Sequence, residues 1–132
     1  MQNCSRMRIL NALFHDTRWQ PAWRAVLLLL MCMAAWFAFI PAQVPMQSEG
    51  IDKVEHFLAF AALGLTASFT SNPGLQRLAR AGVGLMLYAG FIELVQTQLP
   101  TRQGDWADVL ADGVGVAAGL ALAALLRSAF RR

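Results

Sequence analysis

Apolar residues along this chain fall into four long blocks, at about residues 23–40, 54–69, 78–99 and 108–130. None of the blocks alternates, and Ala, Leu, Met and Phe dominate them, so the pattern predicts helices rather than strands. A helix rising ~1.5 Å per residue needs about 20 residues, or 17 at the short end, to cross a bilayer. The second block is the shortest and spans only if its flanks or local thinning help. Turn-forming residues lie between the blocks. Pro41 and Pro45 follow the first, Asn72, Pro73 and Gly74 separate the second from the third, and Pro100 closes the third. The short connections predict antiparallel neighbours. The expected architecture is an all-α polytopic membrane protein, an antiparallel four-helix transmembrane bundle. Residues 1–22 form a cytoplasmic N-terminal segment and 23–130 the membrane domain.

Composition supports this reading. Of 132 residues, 57% are hydrophobic and 14% charged, against roughly 25% charged in an average soluble domain. That excludes a soluble globular enzyme, a disordered chain and a nucleic-acid binder. The first block follows a basic segment, as a signal peptide would. It is long, PAQVP is a poor cleavage site and three more blocks follow, so an uncleaved first span is the better reading. Cys4 and Cys32 sit in different surroundings and read as ordinary unpaired thiols.

Charge sets the orientation. Arg6, Arg8, Arg18, Arg24, Arg77, Arg80, Arg127, Arg131 and Arg132 fall on one side, and only Lys53 and Arg102 on the other. By the positive-inside rule both termini are cytoplasmic. The acids show the reverse bias. Only Asp16 is cytoplasmic, while Glu49, Asp52, Glu55, Glu93, Asp105, Asp108 and Asp112 belong to the outer half. The rule does not require that second asymmetry.

The outer polar layer therefore holds Asp52, Glu55, His56, Glu93, Gln96, Arg102, Asp105, Asp108 and Asp112. Asp52 with Glu55, and Asp105 with Asp108, have capping-box spacing at helix starts, so capping is the default role for Asp52, Glu55 and Asp105. His56, Glu93 and Asp112 lie ~6–10 Å inside the helix ends, too deep for capping. Ionisable groups at that depth face a protein interior or a wet cavity and partner one another. They read either as a ligand or catalytic cleft or as a buried network that fixes packing. Asp108, Asp112, Gly115 and Gly119 share one helix face, and Gly115 with Gly119 forms a G-x-x-x-G that admits close approach. Gly82, Met86, Ala89, Glu93 and Gln96 form a matching stripe. Seven outer acids face two fixed cations and His56, which calls for protonation, a bound cation or cationic ligand, or hydration. No metal-ligand spacing, nucleophile elbow or phosphate loop is present. The sequence thus assigns no metal and names no cofactor. Ser68 and Ser71 lie at the opposite helix end from His56, so no Ser–His pair forms.

The segments DKVEHFLAFAALG and GFIELVQTQLPTRQGDWADVLADGVGVAAG resemble the VanZ-like family. Its members share a D-K-x-x-H-F motif, then E-x-x-Q-x-x-x-P-x-R, then D-x-x-D with a G-x-x-x-G stretch. The matching positions are Asp52, Lys53, His56, Phe57, Glu93, Gln96, Pro100, Arg102, Asp105, Asp108, Asp112, Gly115 and Gly119; the family often has Asn at the position of Asp112. The resemblance implies a small bacterial inner-membrane protein, with a link to resistance against the glycopeptide teicoplanin. The leading expectation is a bundle whose outer pocket binds, modifies or shields a cell-envelope lipid or precursor. Lys53, His56, Glu93, Gln96, Arg102, Asp105, Asp108 and Asp112 would form the ligand site, with Arg102 meeting a phosphate or carboxylate. Asp52, Gly115 and Gly119 would be structural. One rival is an envelope phosphoester or glycolipid enzyme with catalytic candidates His56, Glu93, Asp108 and Asp112. The other is an interaction subunit whose acids only lock packing. Whether the chain is an enzyme is left open, and a transporter is disfavoured by the small number of spans.

Overall fold

The computed structural model describes residues 11–14, 16–40, 49–100, 102 and 104–130. Cys4, Arg6, Arg8, Pro41, Pro45, Arg131 and Arg132 lie outside the described residues. Among those described, ordered secondary structure is entirely helical. A 3-10 turn, Thr17–Trp19, leads into α1 (Gln20–Phe39), followed by α2 (Glu49–Phe69), α3 (Leu75–Gln96) and α4 (Trp106–Ala129).

The helix ends are set by polar residues that the apolar pattern does not register. Asp16 caps the 3-10 turn, accepting from the Arg18 backbone at 2.9 Å. Pro21 then sits in the first turn of α1, where a missing N–H costs nothing. α2 begins at Glu49, five residues before the expected start. Asp52 consequently lies within the helix and is not its N-cap, which corrects the capping role assigned to it. Its carboxylate still faces the positive end of the helix dipole. α3 ends at Gln96 rather than Leu99, because the chain tightens into short-range turns: Gln98 N–H donates to Val95 and Leu99 N–H to Gln96.

Three stretches are long and apolar enough to cross a membrane: Thr17–Phe39, Leu75–Gln96 and Trp106–Ala129. α2 is not among them, since Asp52, Lys53 and Glu55 crowd its start. It is nonetheless the most enclosed helix. Phe60, Leu63 and Ala67 from α2 form the core with Leu85, Ala89 and Ile92 from α3 and Val116 from α4. Large apolar side chains such as Leu28, Trp36, Leu87, Phe91, Leu110 and Leu125 stand exposed on the other three helices, as lipid contact requires. Lipid tails are as apolar as leucine, so such helices associate through close packing and interhelical hydrogen bonds.

Close packing is concentrated between α2 and α4. A Cβ on Gly64 would stand 2.7 Å from the Val116 carbonyl oxygen. One on Gly115 would collide with the Phe57 carbonyl, and one on Gly119 with the Ala61 carbonyl. The pairs Phe57–Gly115 and Ala61–Gly119 rise together along both helices, so α2 and α4 run in the same direction. α1 and α3 are also co-directional, since Tyr88 donates to the Met31 carbonyl and Gln96 to that of Ala38. The expected α4 face is borne out: Asp108, Asp112, Gly115 and Gly119 are all buried. On the α3 stripe Ala89, Glu93 and Gln96 are buried.

Candidate functional site

The polar residues gather where the N-terminal turns of α2 and α4 meet the C-terminal turn of α3. Asp105 is the N-cap of α4, and its side chain accepts the Ala107 N–H at 2.9 Å. Asp105 lies outside the spanning segments, and this bond, then Lys53, holds its carboxyl below the usual carboxylate range. Capping-box spacing would have Asp108 reach back to the Asp105 N–H. The Asp105 N–H donates to Glu93 of α3 instead, at 2.8 Å from its Oε2. The cap is thus completed from a neighbouring helix, and Glu93, thought too deep for capping, shares in it.

That substitution leaves Asp108 to point inward. It is 3% exposed, and its Oδ1 lies 3.6 Å from Lys53 Nζ, which also pairs with Asp105 at 3.1 Å. One turn further along, Asp112 is 0% exposed. Its Oδ1 lies 3.0 Å from His56 Nδ1. With Asp112 ionised, Nδ1–H is the donor, and in the neutral ring Nε2 then carries the lone pair. Asp52, one turn before His56, completes the group. One ligand atom from each of Asp52, His56 and Asp108 lies within 4.8 Å of the others.

Three buried oxygens in this region, Glu93 Oε1, Asp108 Oδ1 and Asp112 Oδ2, have no hydrogen-bond partner among the described residues. A buried acceptor left without a donor costs about 1–3 kcal/mol, more if charged. Three such atoms from two helices, around one histidine, constitute a strongly under-satisfied site.

Other expected site residues have partners elsewhere. Arg102 Nη2 donates to the Phe37 carbonyl at 2.8 Å, and Nε and Nη2 donate to that of Ile40 at 3.3 and 3.2 Å. This guanidinium closes the C-terminus of α1, where carbonyls and the helix dipole favour a cation. Gln96 is buried and donates to Ala38 at 3.2 Å, tying α3 to α1. The cluster itself is built from α2, α3 and α4. Glu55 is exposed on α2.

Sequence reasoning missed a second polar anchor at the opposite end. Arg127 is buried, donates to the Ser68 carbonyl at 2.7 Å and the Ser71 carbonyl at 3.1 Å, and lies over the Phe69 ring. It closes the C-terminus of α2. Its place in the last turn of α4, in phase with Gly119 and Ala123, was the available signal; the orientation rule counted it only as a cytoplasmic charge.

Exposed apolar helices around a buried ionisable cluster define a membrane protein. The chain matches the VanZ/LLP1 family over residues 8–127 and belongs to that family. No curated protein and no solved structure matches it.

Proposed function

We propose that this chain is a four-helix bundle of the bacterial inner membrane, with antiparallel sequential helices and both termini cytoplasmic. Residues 1–22 lie on the cytoplasmic side and 23–130 form the membrane domain. Its cluster then opens toward the outer face and binds the headgroup of a cell-envelope lipid or lipid-linked precursor. The observation that carries this reading is the under-satisfied site: Glu93, Asp108 and Asp112 each bury an oxygen without a hydrogen bond, beside His56. Membrane proteins place ionisable groups at such depth where they bind or move something. The site favours a ligand that brings positive charge or hydrogen-bond donors, because Arg102 is engaged with α1. Lys53, part-exposed at the rim and paired with Asp105 and Asp108, would meet an anionic portion of the ligand by exchanging one of those pairs. A contribution to glycopeptide tolerance, as in teicoplanin resistance, would follow from occupying or altering such a precursor.

Native mass spectrometry of gently extracted protein tests this. Wild type should retain an envelope lipid that Glu93→Gln and Asp112→Asn lose while keeping their helical content and melting temperature. Retention of the same lipid by all three proteins, or of none by wild type, would refute the reading.

One observation favours a second reading, a structural or interaction subunit. Glu93, Gln96, Arg102 and Arg127 each bond backbone atoms of another segment, as residues that lock packing do. It predicts that Glu93→Gln loses stability and phenotype in parallel. The enzyme alternative, with His56 and a carboxylate, predicts turnover on a lipid panel that His56→Ala abolishes.

A further inference from the structure

We infer that Asp52, His56 and Asp108 form a binding site for one divalent metal ion of the Mn2+ or Zn2+ class, at the shared N-terminal end of α2 and α4. The inference rests on reading the cluster as a binding pocket, but not on what envelope component enters it.

Geometry supplies the first support. Asp52 and His56 are four residues apart on α2 and so project from one face. Asp108 comes from α4, and the three ligand atoms lie within 4.8 Å of one another. Donor atoms that share one ion at ~2.0–2.2 Å stand about 3–4 Å apart, so binding draws the three side chains slightly together. The sequence showed no metal spacing because the third ligand comes from a helix more than fifty residues away.

The second support is the state of the ligands. Asp108 is 3% exposed, yet its Oδ1 has no hydrogen-bond partner among the described residues. His56 is held through Nδ1 by Asp112, which is wholly buried. A metal-binding histidine characteristically gives its other ring nitrogen to a carboxylate, which fixes the tautomer and leaves the second nitrogen as ligand. Asp112 occupies that outer position.

Charge supplies the third. Asp52, Glu93, Asp105, Asp108 and Asp112 stand against Lys53, His56 and two helix N-termini, each worth about half a positive charge. With His56 neutral as a ligand, the acids exceed all of these, and a dication reduces the excess instead of adding to a positive field. Two carboxylates with one imidazole suit Mn2+ and Zn2+ better than softer ions. Three protein ligands leave coordination positions for water or a phosphate oxygen.

Full-length protein in detergent or nanodiscs, stripped with chelator, is titrated with Mn2+ alone and Zn2+ alone. Bound metal is measured by equilibrium dialysis, and Mn2+ also by paramagnetic resonance. Wild type should take up one ion per chain. Asp52→Asn, Asp108→Asn and His56→Ala should weaken binding about tenfold or more, on the scale that loss of an outer partner alone produces. Glu55→Gln should bind as wild type. Lys53→Met should bind more tightly, since its ammonium competes for Asp108 Oδ1 at 3.6 Å; a purely structural role for Lys53 predicts no such gain. Circular dichroism and melting confirm that each variant is folded. Absence of a one-ion stoichiometry, wild-type affinity in both Asp variants, or weaker binding by Lys53→Met overturns the proposal. Lipid retained by the stripped protein with no metal uptake defeats the ion but spares the pocket reading; metal uptake without lipid defeats the envelope-component reading and spares the ion.

Discussion

Gly119→Ala is the smallest change that should disturb both the packing and the cluster. The added Cβ meets the Ala61 carbonyl oxygen in hard overlap, with the Leu65 backbone nitrogen at 2.7 Å and the Ala61 carbonyl carbon at 3.0 Å. All three are backbone atoms, so no rotamer change relieves the collision. Ordinary contact begins near 3.4 Å, so α2 and α4 must separate by the better part of an ångström or rotate. Overpacking of this kind costs typically about 1–3 kcal/mol. Helix propensity returns up to about 1 kcal/mol, because Ala favours a helix over Gly. Overlap with rigid backbone places the cost in the upper half of that range, so a net loss of about 1–2 kcal/mol remains, a factor of roughly 5–30 in the folding equilibrium. Asp112 lies seven residues from Gly119 on the same buried face, so separation also lengthens the His56–Asp112 contact. Two control glycines isolate the effect. A Cβ on Gly90 meets nothing within 4 Å, and one on Gly82 meets only Leu120 Cδ1 at 3.6 Å. Thermal denaturation in one detergent should rank Gly90→Ala and Gly82→Ala at or above wild type and Gly119→Ala below it. Equal melting temperatures for Gly119→Ala and Gly90→Ala would refute the close backbone approach.

Asp112→Ala should cost about 1–3 kcal/mol by leaving the His56 Nδ1–H without its acceptor, whereas Asp112→Asn keeps an acceptor for Nδ1–H and should lose far less; similar losses would show that the contact is not made. Removing the guanidinium in Arg127→Ala should destabilise by about 2–3 kcal/mol, the scale of a hydrogen bond to a charged donor, while leaving metal uptake unchanged. A concurrent loss of uptake would mean that the two ends are not independent. Asp105 is held below its ordinary pKa by the Ala107 N–H and by Lys53, so its contribution is complete above about pH 3.9 and is lost as pH falls through the lowered value. Asp105→Asn, which caps by the same bond, should flatten that acid limb of the melting curve, and an unaltered limb would reject the assignment.

Hydrophobic pattern alone located all four helices, because each buries or exposes apolar surface over its whole length. It misplaced their ends. Gln20 and Glu49 are polar, and polarity at a first turn is compatible with either helix or loop when the cap decides. The inward faces of α3 and α4 were legible because glycine and acid shared a phase. Partner choice was less so. By spacing the Asp105 N–H belongs to Asp108, and only the approach of α3 assigns it to Glu93. The destination of Arg102 depends equally on where α1 ends in space. Asp52 and Asp108 are 56 positions apart, and no local pattern encodes their meeting.

The spacing on α4 couples two properties that could have been separate. Asp108 and Asp112 follow the same four-three-four rhythm as Gly115 and Gly119. Each residue advances a helix by ~100°. A single-residue insertion or deletion between Asp112 and Gly115 would therefore swing either the carboxylates or the glycines around to the hydrocarbon, whichever half yielded. Changes of length should therefore be tolerated only in the connecting loops, and within this stretch substitution should be tolerated far better than gain or loss of a whole codon.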